Sequence, residues 1–178
     1  MQWKEFSCKE LFEVRSNPQL NKDSFVFKEN APYPYFTRTC LNNGIAGYVE
    51  YLDEEHKIKG NAIAVGMLGM QFFYMQKDFY AGQFTKTIYP KFEHFNEKIA
   101  LFFIAWLNQQ QKVFQGVLVR DFEKIFNETK ITLPIHKNHQ IAFDFMESFI
   151  KALQKESLKQ VDSYNQAKIK AHKEVLKA

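Results

Sequence analysis

Residues Ile131–Gln160 read ITLPIHKNHQIAFDFMESFIKALQKESLKQ: a short apolar run holding Pro134, a polar turn with two histidines, and then a helix-forming pattern. From Phe143 onward no Pro or Gly interrupts the chain, so about 35 residues are expected to form one helix of about 52 Å at ~1.5 Å per residue. A helix of that length is a strut, longer than any core here requires. Placed at about 100° per residue, Phe143, Met146, Phe149, Ile150, Leu153, Leu158, Val161, Tyr164, Ala171, Val175 and Leu176 share one side. Lys151, Lys155, Glu156, Lys159, Lys170, Lys173 and Glu174 share the other. An apolar stripe needs a cover. Gln154, Ser157 and Lys168 interrupt the seam, and its period is nearer 3.6 than 3.5, which points to a short helix pair or bundle and not to an extended coiled-coil zipper. The residues expected to meet a partner are Phe149, Ile150, Leu153, Leu158, Val161 and Tyr164. A helix folding back on its own domain is the plainer reading of the same stripe. A membrane-surface helix is disfavoured because the segment lacks Trp or Phe beyond Phe149.

The charge distribution follows the same division. Residues 151–178 carry seven Lys against three acids, whereas residues 1–150 hold 17 basic and 17 acidic side chains. All of the formal net charge of +4 therefore falls on the strut. A body without a global basic field grips nucleic acid only through locally placed donors or with help from partner subunits.

At 178 residues, 46% apolar and with 19 Phe, the chain is long enough for one well-filled domain built on large rings, plus an appendage. Two cysteines, Cys8 and Cys40, make no disulfide framework, and Met1 leads straight into polar sequence without a signal peptide. The expected compartment is cytoplasmic. The run IALFFIAWL, Ile99–Leu107, is too short to span a bilayer that needs about 20 residues and reads as a buried helix.

Residues 3–14, WKEFSCKELFEV, mix strand alternation with a short helical turn, and SNPQLNKDS is a loop. The stretches APYPYFTRT, LNNGIAGYVEYL and NAIAVGMLGMQFFYM, with the acidic turn DEEHKIKG between the last two, read as short strands punctuated by Gly47, Gly60, Gly66 and Gly69. Asn43-Gly44 is a turn dipeptide, because both residues tolerate positive φ. After Pro90 the pattern turns helical. FNEKIALFFIAWLNQQQKVF gives about five turns, with Asn96 as N-cap, Glu97 in the first turn and Gly116 closing the helix. VLVRDFEKIF reads as strand then short helix, and KITLPI as a last strand. The expected architecture is α+β: a single mixed α/β domain over residues 1–142 with a β-rich N-terminal half, followed by a long helix over 143–178.

Catalytic chemistry finds little support. His136 and His139 lack a third ligand for a metal. Gly44-x-x-Gly47 and Gly66-x-x-Gly69 lack the remaining residues of phosphate or dinucleotide motifs, and no nucleophile elbow is present. Neither catalysis nor a cofactor is expected. PYFTRTCLNNGIAGYVEY looks instead like a reading surface. Arg38 has the fork that suits guanine O6 and N7, Asn42 and Asn43 the amide that suits adenine N6 and N7, and Thr37 and Thr39 a hydroxyl that can serve bases or phosphates. Gln71, Tyr74, Gln83 and Lys86 form a second polar group. The same side chains are ordinary in hairpin turns.

The ordered series WKEFSCKELFEV, PYFTRTCLNNGIAGYVEY, NAIAVGMLGMQFFYMQKDFYAGQFTKTIYPKF, VFQGVLVR, and ITLPI with IAFDFMESFIKALQ resembles the target-recognition domain of DNA specificity subunits. Those subunits serve Type I and related multi-subunit restriction-modification systems. The resemblance covers nearly the whole chain, most specifically in the segment with NNGIAGYV and in LP followed by FDFME. It implies a domain that reads one half of a split site in double-stranded DNA, and spacer helices that dock methyltransferase subunits, with a nuclease subunit as a further partner. The family pattern has two such domains per subunit and this sequence has one, so the resemblance is met either by a half-sized subunit that forms a homodimer through antiparallel struts or by a piece of a longer two-domain subunit, which would read the same. The motif positions are Thr37–Tyr48 and Ala64–Tyr74, and the DNA-contact candidates beside them are Arg38, Thr39, Asn42, Asn43, Gln71, Tyr74 and Lys86. The competing expectation, from a different class, is a helical scaffold that binds protein and no DNA.

Overall fold

The computed structural model describes residues 1–117 and 119–175, with side chains described as far as Lys170 and at His172. Strand β1 (Gln2–Ser7) lies antiparallel to β9 (Lys130–Ile135), in register from Gln2 opposite Ile135 to Ser7 opposite Lys130. Ser7 then starts the one-turn helix α1 (Cys8–Leu11), where the Glu10 carboxylate accepts the Ser7 N–H at 2.6 Å. That reciprocal cap turns the chain sharply into β2 (Phe12–Ser16).

Two sheets stack behind this ribbon. The larger is fully antiparallel, in the order β2, β8 (Thr85–Pro90), β5 (Ala62–Gly66), β6 (Gln71–Met75). The smaller consists of β4 (Ile45–Val49), β3 (Tyr33–Phe36) and β7 (Tyr80–Ala81), with β7 parallel to β3. Alternation sorts the faces of the larger sheet: Val14, Ile88, Ile63, Val65 and Phe72 point to the helices, while Ala64 and Met75 pack on Phe36 and Phe79 of the other layer. The expectation of short strands in the N-terminal half is met, with the Asn43-Gly44 turn joining β3 to β4.

Helix α2 (Glu97–Gln109) begins as expected at Asn96, whose side-chain oxygen accepts the N–H groups of Lys98 and Ile99 at 3.0 and 3.2 Å. Ile99, Phe103 and Leu107 are its core-facing row. Asn108 clamps the outer edge of β6, its amide accepting from Phe72 N at 3.0 Å and donating to Phe72 O at 3.4 Å, which satisfies backbone groups that an edge strand leaves open. The abundance of phenylalanine has a packing reason. Phe12 meets Phe103 edge-on at 4.9 Å, and Phe72, Phe114, Phe122 and Phe126 continue the cluster at centroid distances of 5.6–6.4 Å.

Two local expectations are corrected. The helix after Asn96 is broken at Gln110, and α3 (Gln111–Gln115) turns away so that Phe114 is fully buried against Phe72 and Phe122. VLVR does not yield a strand among its described residues: Val119–Asp121 is a 3-10 turn leading into α4 (Phe122–Glu128), which buries Phe122 and Phe126, and Leu118 lies outside the described residues.

Helix α5 (Phe143–Val175) is the strut, 33 residues in length. Its first turns belong to the body. Met146 is 0% and Ile150 7% exposed, and Phe143 stacks on Phe92 at 4.8 Å. From Lys155 to Lys170 every residue is exposed, so the rod runs clear of its own domain for at least 15 residue steps, about 23 Å. The stripe positions Ala171, Val175 and Leu176 and the polar positions Lys173 and Glu174 fall beyond the described side chains. Among the described residues no helix is long and apolar enough to cross a membrane.

Candidate functional site

Strand directions bring four connections to one end of the two sheets. The segment after β2 starts at Asn17, β3 turns into β4 through 37–44, β5 into β6 through 67–70, and β7 into β8 through 82–84. Their close approach is visible at the glycines. A Cβ on Gly66 would come within 2.7 Å of Arg38 Cα, one on Gly69 within 2.6 Å of Cys40 Sγ, and one on Gly82 within 2.8 Å of the Tyr35 hydroxyl. Thr37 N–H donates to Gly44 O at 2.8 Å, and Met67 N–H to Phe84 O at 2.8 Å. The first of these turns is sharp because Asn42, Asn43 and Gly44 all have positive φ, of 47, 53 and 79°. Asn-Asn-Gly supplies residues that tolerate this backbone.

The electrostatics of this end differ from those of the body as a whole. Segments 16–22, 37–44, 66–71 and 82–86 hold Lys22, Arg38 and Lys86 and no Asp or Glu; Asp23 follows at the margin. The acids gather at the opposite end, where Glu50, Asp53, Glu54, Glu55 and Asp78 follow β4 and β6. There Lys57 pairs with Glu54 at 2.5 Å, and the Asp53 carboxyl is held below its ordinary range, chiefly by the His56 backbone N–H. Lys57, Lys59 and Lys77 share that end with the five acids, so the neutral body is polarised because, of the two ends, cations stand unopposed only at the turn end.

The sequence candidates distribute unequally over this geometry. Arg38 is exposed, its guanidinium 5.6 Å from the centre of the Phe84 ring. The Thr39 hydroxyl accepts the Leu41 N–H at 3.2 Å, and Asn42 Nδ2 donates to Ile45 O at 3.1 Å, so both also close their own turn. Asn43 is exposed beside them, and Gln71 pairs with Gly66 under the Arg38 backbone. Lys86 stands at the same end and donates to Ser16 Oγ at 2.7 Å. Tyr74 is elsewhere. It lies near the far end of β6, its hydroxyl donating to Asn61 Oδ1 at 2.9 Å and its ring against Phe95, and burial pushes its pKa up.

Sequence reading missed Lys22, Phe84 and Asn17. Asn17 is buried, and its amide binds Thr85 Oγ1 at 3.0 Å and Thr87 Oγ1 at 2.6 Å, while Thr85 donates to Gly82 O at 2.8 Å. The available signal was Thr-x-Thr with both threonines facing inward on β8. In the strut, Phe149, Leu153, Leu158, Val161 and Tyr164 are 44–67% exposed, joined by Ile169 at 56%, whereas Ile150 is taken up by its own body.

Elsewhere, the histidines singled out by the sequence are engaged locally. His136 Nε2 meets Asp144 Oδ1 at 2.9 Å, and His139, with φ of 65°, closes the turn. No group of three or more His, Cys, Asp or Glu is placed to hold a metal among the described residues. Burial pushes the Cys8 thiol up to about 12, which keeps it protonated.

Residues 1–163 match the family described as Type I restriction modification DNA specificity domain. Among curated proteins, none matches the sequence. Solved structures with the same fold include the S subunit of a Type I restriction-modification system from M. genitalium, at 17% identity and a TM-score of 0.57, covering 91% of this chain and 41% of that one. The HsdS subunit from Thermoanaerobacter tengcongensis is similar at 9% identity and a TM-score of 0.59, covering 89% and 39%. A chain from a study of complex assembly and conformational transition of the type I R-M system is similar at 10% identity and a TM-score of 0.64, covering 94% and 43%. The chain thus spans about two fifths of the length of these structures.

Proposed function

Since the chain belongs to the family of Type I restriction modification DNA specificity domains, we propose that it reads one half-site of a split target in duplex DNA through the four-turn end of its sheets. The observation that carries this reading is the meeting of Lys22, Arg38, Lys86 and a set of uncharged polar side chains on turns without a carboxylate. Phosphate contacts need cations unopposed by acids, and base edges need amide and guanidinium donors held in place. Arg38, Thr39, Asn42, Asn43, Gln71 and Lys86 are the contact residues; Tyr74 enters as a support for β6.

In this reading residues 1–142 are the recognition unit and 143–178 the spacer. The exposed stripe from Phe149 to Tyr164 seats an antiparallel copy of itself, so that two recognition ends face an inverted repeat. The paired rods position methyltransferase subunits, and a nuclease subunit joins the same assembly. Methyl transfer and cleavage belong to those partners, and this chain supplies no reacting group. We place the assembly in the cytoplasm.

Selection from a randomised duplex pool by gel shift, with and without the methyltransferase subunit, tests the proposal. Enrichment of a bipartite or inverted-repeat site is the expected result. Failure to enrich any sequence under either condition would favour a protein-binding scaffold.

A further inference from the structure

Phe84 is the one bulky aromatic among the described residues with a left-handed backbone, at φ 58°, and it is 40% exposed. Such a conformation is strained for a bulky side chain, and a turn alone is better served by Gly or Asn. The surroundings hold it in place. Met67 N–H bonds the Phe84 carbonyl, and the buried Asn17, Thr85 and Thr87 network fixes the strand that follows. The ring joins none of the hydrophobic clusters of the body. Its cationic neighbour is the Arg38 guanidinium, 5.6 Å from its centre.

We infer that Arg38 and Phe84 act as one reading unit in the major groove, the guanidinium binding a guanine edge and the ring covering the 5-methyl group of a nearby thymine. The inference rests on the DNA reading proposed above. A strained, half-exposed ring gains nothing from water, and the thymine methyl is the apolar group that duplex DNA presents in that groove. The cation–π contact holds the guanidinium fork oriented before DNA arrives. Their separation of 5.6 Å falls between one and two base steps of about 3.4 Å. The adjoining turns carry no carboxylate to capture Arg38. Phe84 is thereby a specificity-determining residue that hydrogen-bond inventories overlook.

The test uses the full chain and its selected duplex, with each thymine replaced singly by uracil, which removes only the methyl. One position is expected to lose about fourfold in affinity, the value of one buried methyl group, and to lie within two steps of a guanine whose 7-deaza replacement also weakens binding. Phe84→Asn, which suits the backbone, is expected to bind the thymine and uracil duplexes equally. Tolerance of uracil at every position overturns the inference, as does a thymine effect that survives in Phe84→Asn or lies away from the sensitive guanine. Enrichment of no duplex at all removes the DNA reading and this inference together, whereas an enriched site indifferent to uracil removes only this one.

Discussion

Arg38 crosses directly over Gly66: a Cβ at position 66 would stand 2.7 Å from Arg38 Cα and 3.3 Å from the Thr37 carbonyl oxygen. Neither atom is the free end of a side chain, so the turn must move to admit a methyl group. Gly66→Ala is expected to cost about 1–3 kcal/mol in a urea melt and to weaken binding to the selected duplex. Gly116→Ala is the control. There the added Cβ meets backbone oxygens at 3.4 and 3.6 Å and φ is −72°, so stability should change by less than about 1 kcal/mol.

Behind the same turns, Asn17 serves two threonine hydroxyls at once, Thr85 at 3.0 Å and Thr87 at 2.6 Å. Truncation to Ala leaves the buried Thr87 hydroxyl without its acceptor, while Thr85 still donates to Gly82 O, at a cost of about 1–3 kcal/mol. The effect should be local as well as global. Amide exchange is expected to quicken at 82–86 ahead of the β1–β9 ribbon, and uniform acceleration across the chain would refute a positioning role for Asn17.

The legible parts of this fold share a cause. The strut was readable because its period runs unbroken past Phe143, and the β3–β4 turn because Asn43-Gly44 is a local conformational preference. What joins Arg38 to Phe84 is nonlocal: β7 is two residues long, with no pattern of its own, yet it lies parallel to β3 and carries 82–84 beside 37–44. Tyr74 lies apart from the other contact candidates for a related reason. Gln71 and Tyr74 share a strand, but three residues along it exchange both the face and the end of the sheet. The break at Gln110 escaped notice because no Pro or Gly marks it; the pull comes from the pocket that Phe114 fills.

Glu147 offers a pH-dependent check on how the strut is rooted. Its carboxylate accepts from Asn96 Nδ2 at 2.6 Å and from Lys151 Nζ at 3.2 Å, so it ties α5 to the N-cap of α2. The Asn96 hydrogen bond, followed by Lys151, holds its pKa below the ordinary 4.5. A folded-state value below the unfolded one means that the stabilisation is complete above 4.5 and disappears as pH falls through the depressed value. Wild type should therefore exceed Glu147→Gln in melting temperature near neutrality, and the gap should close on acidification. A gap that persists in acid would show that the charge is irrelevant. Exposure of the pair keeps the effect small.

Ile150 and Leu158 lie on one stripe of the helical wheel, but Ile150 is 7% exposed and Leu158 67%. Sequence periodicity gives both the same task, whereas the body already covers the first. Ile150→Ala is expected to lower body stability by about 2–4 kcal/mol through the cavity it leaves, at any protein concentration. Leu158→Glu with Val161→Glu should leave the melt of the monomeric body unchanged and shift the mass measured by light scattering from two chains to one. Truncation after Ile150 should give the same monomer, because Met146 and Ile150 stay in place. If the double variant keeps the mass of a dimer, the seam is not the outer stripe; if wild type is already monomeric at high concentration, the exposed ridge has another partner, and the methyltransferase subunit becomes the first to mix with it.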